Sequence, residues 1–389
     1  MKTPVKKRII ILFIIDAMMV GGTEQQLLEL IRLMDKTLFE PIVLTLYSGG
    51  PMEHEYKAVP KVELLSINRK GKYDFFCIFN IIRILKSKKV DIIQTYLTPA
   101  SLFGLLAAFI CRTPVKIMTR RPGTGGKADS MGYRFYYKAE AFLGRFIDWV
   151  IPNSRVGKDY MLSKGVCIER IKLIPNGVNT ARLIENSMPM QEARVEIGLN
   201  IHSKVVGTIA RLDPYKNHAL LFQAASKILK VLPNTKFILV GDGVLRKSLV
   251  NLAEELGIAS AVIFFGEQRN VGVYLSAIDI AVLPSWQEGS SNFILEAMAI
   301  GKPVVATDIV GNRDLVRDNE TGFLVPNYDA EVMSDTIIKL LVDHEMAQKV
   351  GQRAKEVATT EFSLDRMVQA YQSLWEETFQ KKRLPYLIK

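Results

Sequence analysis

A chain of 389 residues exceeds one ordinary domain and suits two, and its 48% hydrophobic and 23% charged residues exclude intrinsic disorder. The net charge of +11 is concentrated early, since residues 1–175 carry 28 Lys+Arg against 15 Asp+Glu while the remainder is near neutral; a basic half of this kind meets anionic partners. Three scattered cysteines, Cys77, Cys111 and Cys167, exclude a disulfide framework and a structural zinc site, and indicate a reducing compartment.

Lys6, Lys7 and Arg8 precede the apolar run Ile9–Ile15, an order shared with secretory signal peptides. The run stops at Asp16 with no small-x-small cleavage site, so it reads as a buried first strand. Strands are predicted over 8–15, 42–47, 92–95, 115–119 and 149–153, and again over 204–210, 236–240, 262–265, 280–284 and 303–307. Each is a run of Ile, Val, Leu or Phe ended by a turn former, and helical patterns separate them. The alternation specifies an α/β chain with two doubly wound parallel-sheet (Rossmann-like) domains facing a cleft. Pro175-Asn176-Gly177 and the polar, irregular stretch after it divide them into residues 1–175 and 176–362. The apolar stretch 102–110 is too short to span a bilayer, and the chain reads as cytoplasmic without a transmembrane helix.

In such sheets ligands bind beyond the carboxyl ends of the strands, where three constellations fall. Gly21-Gly22-Thr23-Glu24 sits between the first strand and a helix over 25–34; it is either a phosphate seat at a helix N-terminus or a tight turn. Arg211 ends the second half's first strand with Lys216 five residues on. Two cations at a strand end suit a diphosphate, whereas the plain alternative is a pair of solvated surface cations. In the segment 284–297, Glu288 and Glu296 have seven residues between them, close to two helical turns, so both carboxylates can address one side of a site. Gly289, Ser290, Ser291 and Asn292 open the helix and offer free N–H groups. The alternative is a capping carboxylate followed by a solvated one.

Other signals carry less. Gly123-Thr124-Gly125-Gly126-Lys127 lacks P-loop spacing, and Gly241-Asp242-Gly243 is an incomplete dinucleotide fingerprint. There is no Asp-x-Asp, and His54, His202, His218 and His344 are scattered, so no metal is expected and phosphate charge falls to Arg, Lys and helix ends.

Together with Pro175-Asn176-Gly177-Val178, Phe265-Gly266, 299–305 and 322–326, these segments resemble the retaining glycosyltransferases of the GT-B fold, family four (glycosyl transferases group 1). The resemblance implies a nucleotide-sugar donor, a UDP-sugar first with a GDP-sugar as alternative, and no cofactor. It implies that Gly21, Gly22 and Thr23 approach the diphosphate, that Arg211 and Lys216 neutralise it, and that Glu288 with Gly289 to Ser291 holds the sugar. Asn292 joins the donor site, Glu296 takes the ribose hydroxyls, and the base lies near 264–267. The last helix, from about 363, would return to the first domain, leaving that domain the acceptor side and the second the nucleotide-sugar side. Many relatives carry a histidine near the reacting sugar; here the equivalent stretches are Gln94-Thr95-Tyr96 and Thr119-Arg120-Arg121. Arg120 either fills that catalytic place or is a structural arginine facing solvent.

The segments 68–89 and 131–147 are basic and aromatic, with Arg69, Lys72, Tyr73, Phe75, Phe76, Phe79 and Arg83 in the first and Tyr133, Arg134, Phe135, Phe142 and Phe146 in the second. Each alone reads as a core stripe with a solvated face; the basic first half favours peripheral contact with an anionic membrane. This suits a lipid-linked or polysaccharide acceptor in cell-envelope or extracellular glycan synthesis, lipopolysaccharide included. A transferase acting on a small soluble acceptor, a sugar-nucleotide epimerase on the same fold, and a silent binding subunit are the competing readings. No nucleic-acid module accompanies the charge.

Overall fold

The computed structural model describes residues 7–71, 74–121 and 131–387. Lys72, Tyr73 and the 123–127 loop lie outside them, as do the side chains of Tyr133, Arg134 and Phe135. The chain divides into two compact units, one of residues 1–123, 127–175 and 365–389, the other chiefly of 176–364.

The first unit runs β1 (Ile9–Ile15), α1 (Gly22–Leu33), β2 (Phe39–Thr45), α2 (Glu53–Lys57), β3 (Glu63–Ser66), α3 (Cys77–Ser87), β4 (Ile92–Tyr96), α4 (Thr98–Ile110), β5 (Val115–Arg120), α5 (Met131–Leu143), β6 (Trp149–Pro152) and α6 (Arg155–Ser163). Its six parallel strands lie in the order β3-β2-β1-β4-β5-β6. The apolar run after Lys6 and Arg8 is therefore a central strand, with Ile11 to Ile15 fully buried. Burial on both faces is what makes such a strand continuously apolar.

The second unit runs α7 (Thr180–Glu185), α8 (Met190–Glu196), β7 (Lys204–Ile209), α9 (His218–Val231), β8 (Thr235–Val240), α10 (Arg246–Glu255), β9 (Val262–Gly266), α11 (Gly272–Ala277), β10 (Ile280–Leu283), α12 (Asn292–Ala299), β11 (Val304–Thr307), α13 (Val310–Arg313), β12 (Phe323–Val325), α14 (Ala330–Val342) and α15 (His344–Glu361). The stretch after Pro175, expected to be irregular, holds α7 and α8. The strand order β12-β11-β10-β7-β8-β9 is the same winding as in the first unit. Chain order reverses between β1 and β4 in one sheet and between β7 and β10 in the other, and those switch points are where ligands bind in such folds.

The last helix, α16 (Leu364–Leu387), belongs to the first unit from Asp365 onward. Trp375 is fully buried there, its ring edge-on to Phe13 and Phe39 at 5.7 and 5.3 Å, and its indole N–H donates to Gln94 Oε1 at 2.7 Å.

Candidate active site

The second unit carries the candidate residues Arg211, Lys216, Glu288 to Asn292 and Glu296, whereas Gly21, Gly22 and Thr23 belong to the first unit. After β7 the chain passes Arg211 and makes a 3-10 turn at Pro214–Lys216, ended by Asn217 in the left-handed conformation before α9. Gly241 and Gly243 let the end of β8 lie against this segment: a Cβ on Gly243 would stand 2.7 Å from Leu212 O, and one on Gly241 would strike the Ala210 carbonyl. The two glycines therefore serve close backbone packing. After β10 the chain turns back so that Trp286 N–H donates to Tyr215 O at 2.8 Å, joining the two loops.

There the Lys216 ammonium donates to Glu288 Oε1 at 2.6 Å, and Ser285 Oγ donates to the same oxygen at 2.7 Å. Lys216 and Glu288 side chains are 15% and 10% exposed, so the pair is shielded enough to have a fixed geometry yet open to a ligand. Ser285 is held in turn: its carbonyl accepts from Thr307 Oγ1 at 2.6 Å, and Asn312 Nδ2 donates to Thr307 O at 2.8 Å. Arg211 remains exposed, paired to Asp213 at 3.1 Å and bonded to Tyr215 OH, so its charge is available at the rim.

Glu288 lies in the loop and only Glu296 in the helix, which corrects the two-turn helical argument made from their spacing. Ser291 caps α12, its Oγ accepting from Ile294 N–H, and Asn292 begins the helix. Gly289 and Ser290 fill the loop between. Burial raises the Glu296 carboxyl to about 7, against the lowering influence of Arg182. His218 beside Lys216 is driven down to about 4 by burial first and the lysine second, so its imidazole is neutral at physiological pH.

The first unit's switch point is acidic as well as basic. A Cβ on Gly21 would collide with the Glu24 carboxylate, so the Gly21–Gly22–Thr23 loop carries its own negative charge over the start of α1. Asp16 ends β1 and accepts the Ala100 N–H at 3.0 Å. Burial raises its carboxyl to about 7, with Glu24 adding to the rise against the pull of Ala100 and Arg69. Asp16 follows directly on the apolar run, and a carboxyl at the end of a central strand is the signal for it in the sequence. Leu97, with φ of 66°, turns the end of β4 into α4, a strained non-glycine conformation at the same switch point.

Arg120 does not face solvent. It is 7% exposed, lies between the Tyr137 and Tyr160 rings at 5.1 and 4.6 Å, and reaches Glu140 Oε2 at 3.4 Å, where Thr98 Oγ1 also donates. Arg69, expected on a basic surface, is likewise buried, over the Phe103 ring and bonded to the Tyr47 and Tyr136 hydroxyls. Among the described residues no group of His, Cys, Asp or Glu is placed to hold a metal ion.

Two six-stranded parallel sheets with flanking helices place the chain in the GT-B glycosyltransferase fold: the crystal structure of Anabaena HepE, in complex with UDP and glucose, superposes with a TM-score of 0.82 at 22% identity, covering 95% of this chain and all of that one. The chain belongs to the group 1 glycosyltransferases. The profile of that family, Glycosyl transferases group 1, matches residues 189–357, and that of Glycosyltransferase Family 4 matches residues 20–182. The putative glycosyltransferase EpsD of Bacillus subtilis (strain 168) is 28% identical over 293 residues, covering 71% of this chain and 74% of its own length. The UDP-Gal:alpha-D-GlcNAc-diphosphoundecaprenol alpha-1,3-galactosyltransferase of Escherichia coli is 26% identical over 276 residues, or 69% of this chain and 71% of its own.

Proposed function

We propose that this glycosyltransferase moves a sugar, with retention of anomeric configuration and without a metal, from a nucleotide-diphosphate sugar to a lipid-linked or polysaccharide acceptor in envelope or extracellular glycan synthesis. The observation that carries the reading is the Lys216–Glu288–Ser285 constellation beside the exposed Arg211 at a sheet's switch point. As the sugar's C1–O bond to the β-phosphate breaks, that oxygen takes the electron pair, and Arg211 and Lys216 meet the charge that develops. The acceptor oxygen bonds to C1 on the face the phosphate leaves, and its proton passes to the departing phosphate. Glu288 and the free N–H groups around Gly289 to Ser291 orient the sugar; Glu296 accepts from the ribose hydroxyls. Asn292 helps hold that loop, and Arg120 acts through Glu140.

The HepE complex with UDP and glucose supports a UDP-sugar donor, and the undecaprenol-linked substrate named for the E. coli relative supports a lipid-linked acceptor. Among the described residues no helix is long and apolar enough to cross a membrane, so reaching such an acceptor calls for peripheral contact. Phe75 and Phe76 just before α3 and Phe79 within it are exposed, Phe76 to 78%, with Arg83 and Lys86 also exposed on the helix. Pure protein is incubated with a panel of UDP- and GDP-sugars in excess chelator, and the released nucleoside diphosphate is measured. One donor is expected to be hydrolysed slowly and to turn over faster with acceptor. Loss of all turnover on chelation overturns the metal-free reading, and exchange of solvent hydrogen into the donor sugar favours an epimerase.

A further inference from the structure

Asn176 is the first residue of the second unit and carries no role in the reading above. It is 4% exposed, and its side-chain amide donates to Ser290 O at 3.0 Å and to Asn292 Oδ1 at 2.7 Å, partners 114 and 116 residues away. Ser290 and Asn292 flank Ser291, the cap of α12, so one buried amide grips both sides of the loop that displays the helix's free N–H groups. Two residues on, Val178 N–H donates to Phe362 O at 2.8 Å, and Leu364 N–H donates to Val178 O at 3.2 Å. The chain's entry into the second unit is thereby bonded to its exit, and the entry is bonded to the loop after Glu288.

We propose that Asn176 is a positioning residue that fixes the Gly289–Asn292 loop for the donor's sugar and ties it to the two segments where the chain crosses between units. The proposal rests on the donor assignment above for its effect on turnover, and stands independently for its effect on the loop. A buried amide that loses either acceptor leaves an unsatisfied donor, so the native arrangement is held firmly. The nucleotide's diphosphate meets Arg211 and Lys216, neither of which contacts Asn176 in the hydrogen bonds described, so the amide should govern the sugar end of the donor and leave the nucleotide end alone.

The test uses full-length Asn176→Asp, which keeps the shape but loses both N–H donors, and Asn176→Ala. UDP affinity is measured by calorimetry, UDP-glucose hydrolysis by UDP release, and backbone exchange by mass spectrometry in the ligand-free proteins. Both variants are expected to keep UDP affinity within about threefold while UDP-glucose turnover falls at least about tenfold, and exchange at residues 289–294 rises about tenfold or more. In combination with Asn292→Ala, Asn176→Ala should add less than its single effect, because one bond is removed twice. Unchanged exchange at 289–294 overturns the proposal whatever the nucleotide, as does turnover equal to that of the wild type, or exchange raised equally throughout the second unit. If the wild-type protein takes neither UDP nor UDP-glucose, the donor assignment falls, and the exchange measurement alone decides the positioning role.

Discussion

Gly311→Ala adds one methyl group where the structure has no room for it. The residue lies on α13 with backbone dihedrals open to alanine, so the effect is steric alone. The new Cβ would stand 2.6 Å from Gly289 O and 2.7 Å from the Glu288 carbonyl carbon, and would also strike Glu288 O. An ordinary C···O contact is about 3.3–3.6 Å, so one side must yield by roughly 0.7–1 Å. α13 cannot recede freely, because Asn312 next door is buried and donates to Thr307 O and Oγ1 at 2.8 and 3.2 Å. The loop gives way instead, carrying Glu288 off its bonds to Lys216 and Ser285. Overpacking of this kind costs about 1–3 kcal/mol, and a catalytic group displaced by about 1 Å loses on the order of a hundredfold in rate. Initial rates of nucleoside diphosphate release, alongside thermal unfolding, measure both. The expected variant is folded, with Tm lowered by a few degrees and kcat reduced about a hundredfold. A kcat within threefold of wild type would refute the claim that this backbone contact sets the position of Glu288.

Three further outcomes follow from two buried carboxyls. In the proposed ribose role Glu296 accepts from hydroxyls best when ionised, and burial raises its carboxyl from 4.5 to about 7. Donor KM should rise about tenfold per unit as pH falls below 7, and Glu296→Gln should flatten that profile; a flat wild-type profile opposes the ribose role. The same raised value means that ionising Glu296 opposes folding as pH climbs from about 4.5 to 7, so Glu296→Gln gains stability relative to wild type across that window. Arg120→Met removes the cation from beside Glu140, whose carboxyl burial already pushes up. Stripping one partner from a buried pair costs about 3–5 kcal/mol while the other stays charged. Protonation relieves Glu140, so the Tm deficit should be larger at pH 8 than at pH 5, and an equal deficit at both would count against the pair.

The central strands were legible because burial on both faces leaves an unbroken apolar run, as in Ile9–Ile15 and Val304–Thr307. β3 and β12 were missed, and both are sheet edges: Glu63–Ser66 has no fully buried residue and Phe323–Val325 is three residues long. Edge position alone is not the cause, since β6 and β9 are edges too and were legible as apolar runs; β3 and β12 are too exposed or too short to show one. Arg211, Lys216 and Glu288 stood out as candidates in the sequence because each follows a strand end. Ser285 and Asn176 lay inside the quoted motifs, but their partners, like those of Gly311, are joined only by folding: Thr307 for Ser285, Ser290 for Asn176, and Glu288 for Gly311. Arg120 shows the converse, a residue whose place is set by partners the sequence does not reveal, the Tyr137 and Tyr160 rings and the Glu140 carboxylate.

The return of α16 to the first unit makes the order of synthesis matter. Trp375, lodged between Phe13 and Phe39, leaves the ribosome some 200 residues after β6, an interval of about 10–40 s at ordinary translation rates. Through that interval the nascent first sheet exposes an indole-shaped apolar gap while the second unit is emerging. β1 and β2 are thus covered on this side only once α16 has been made.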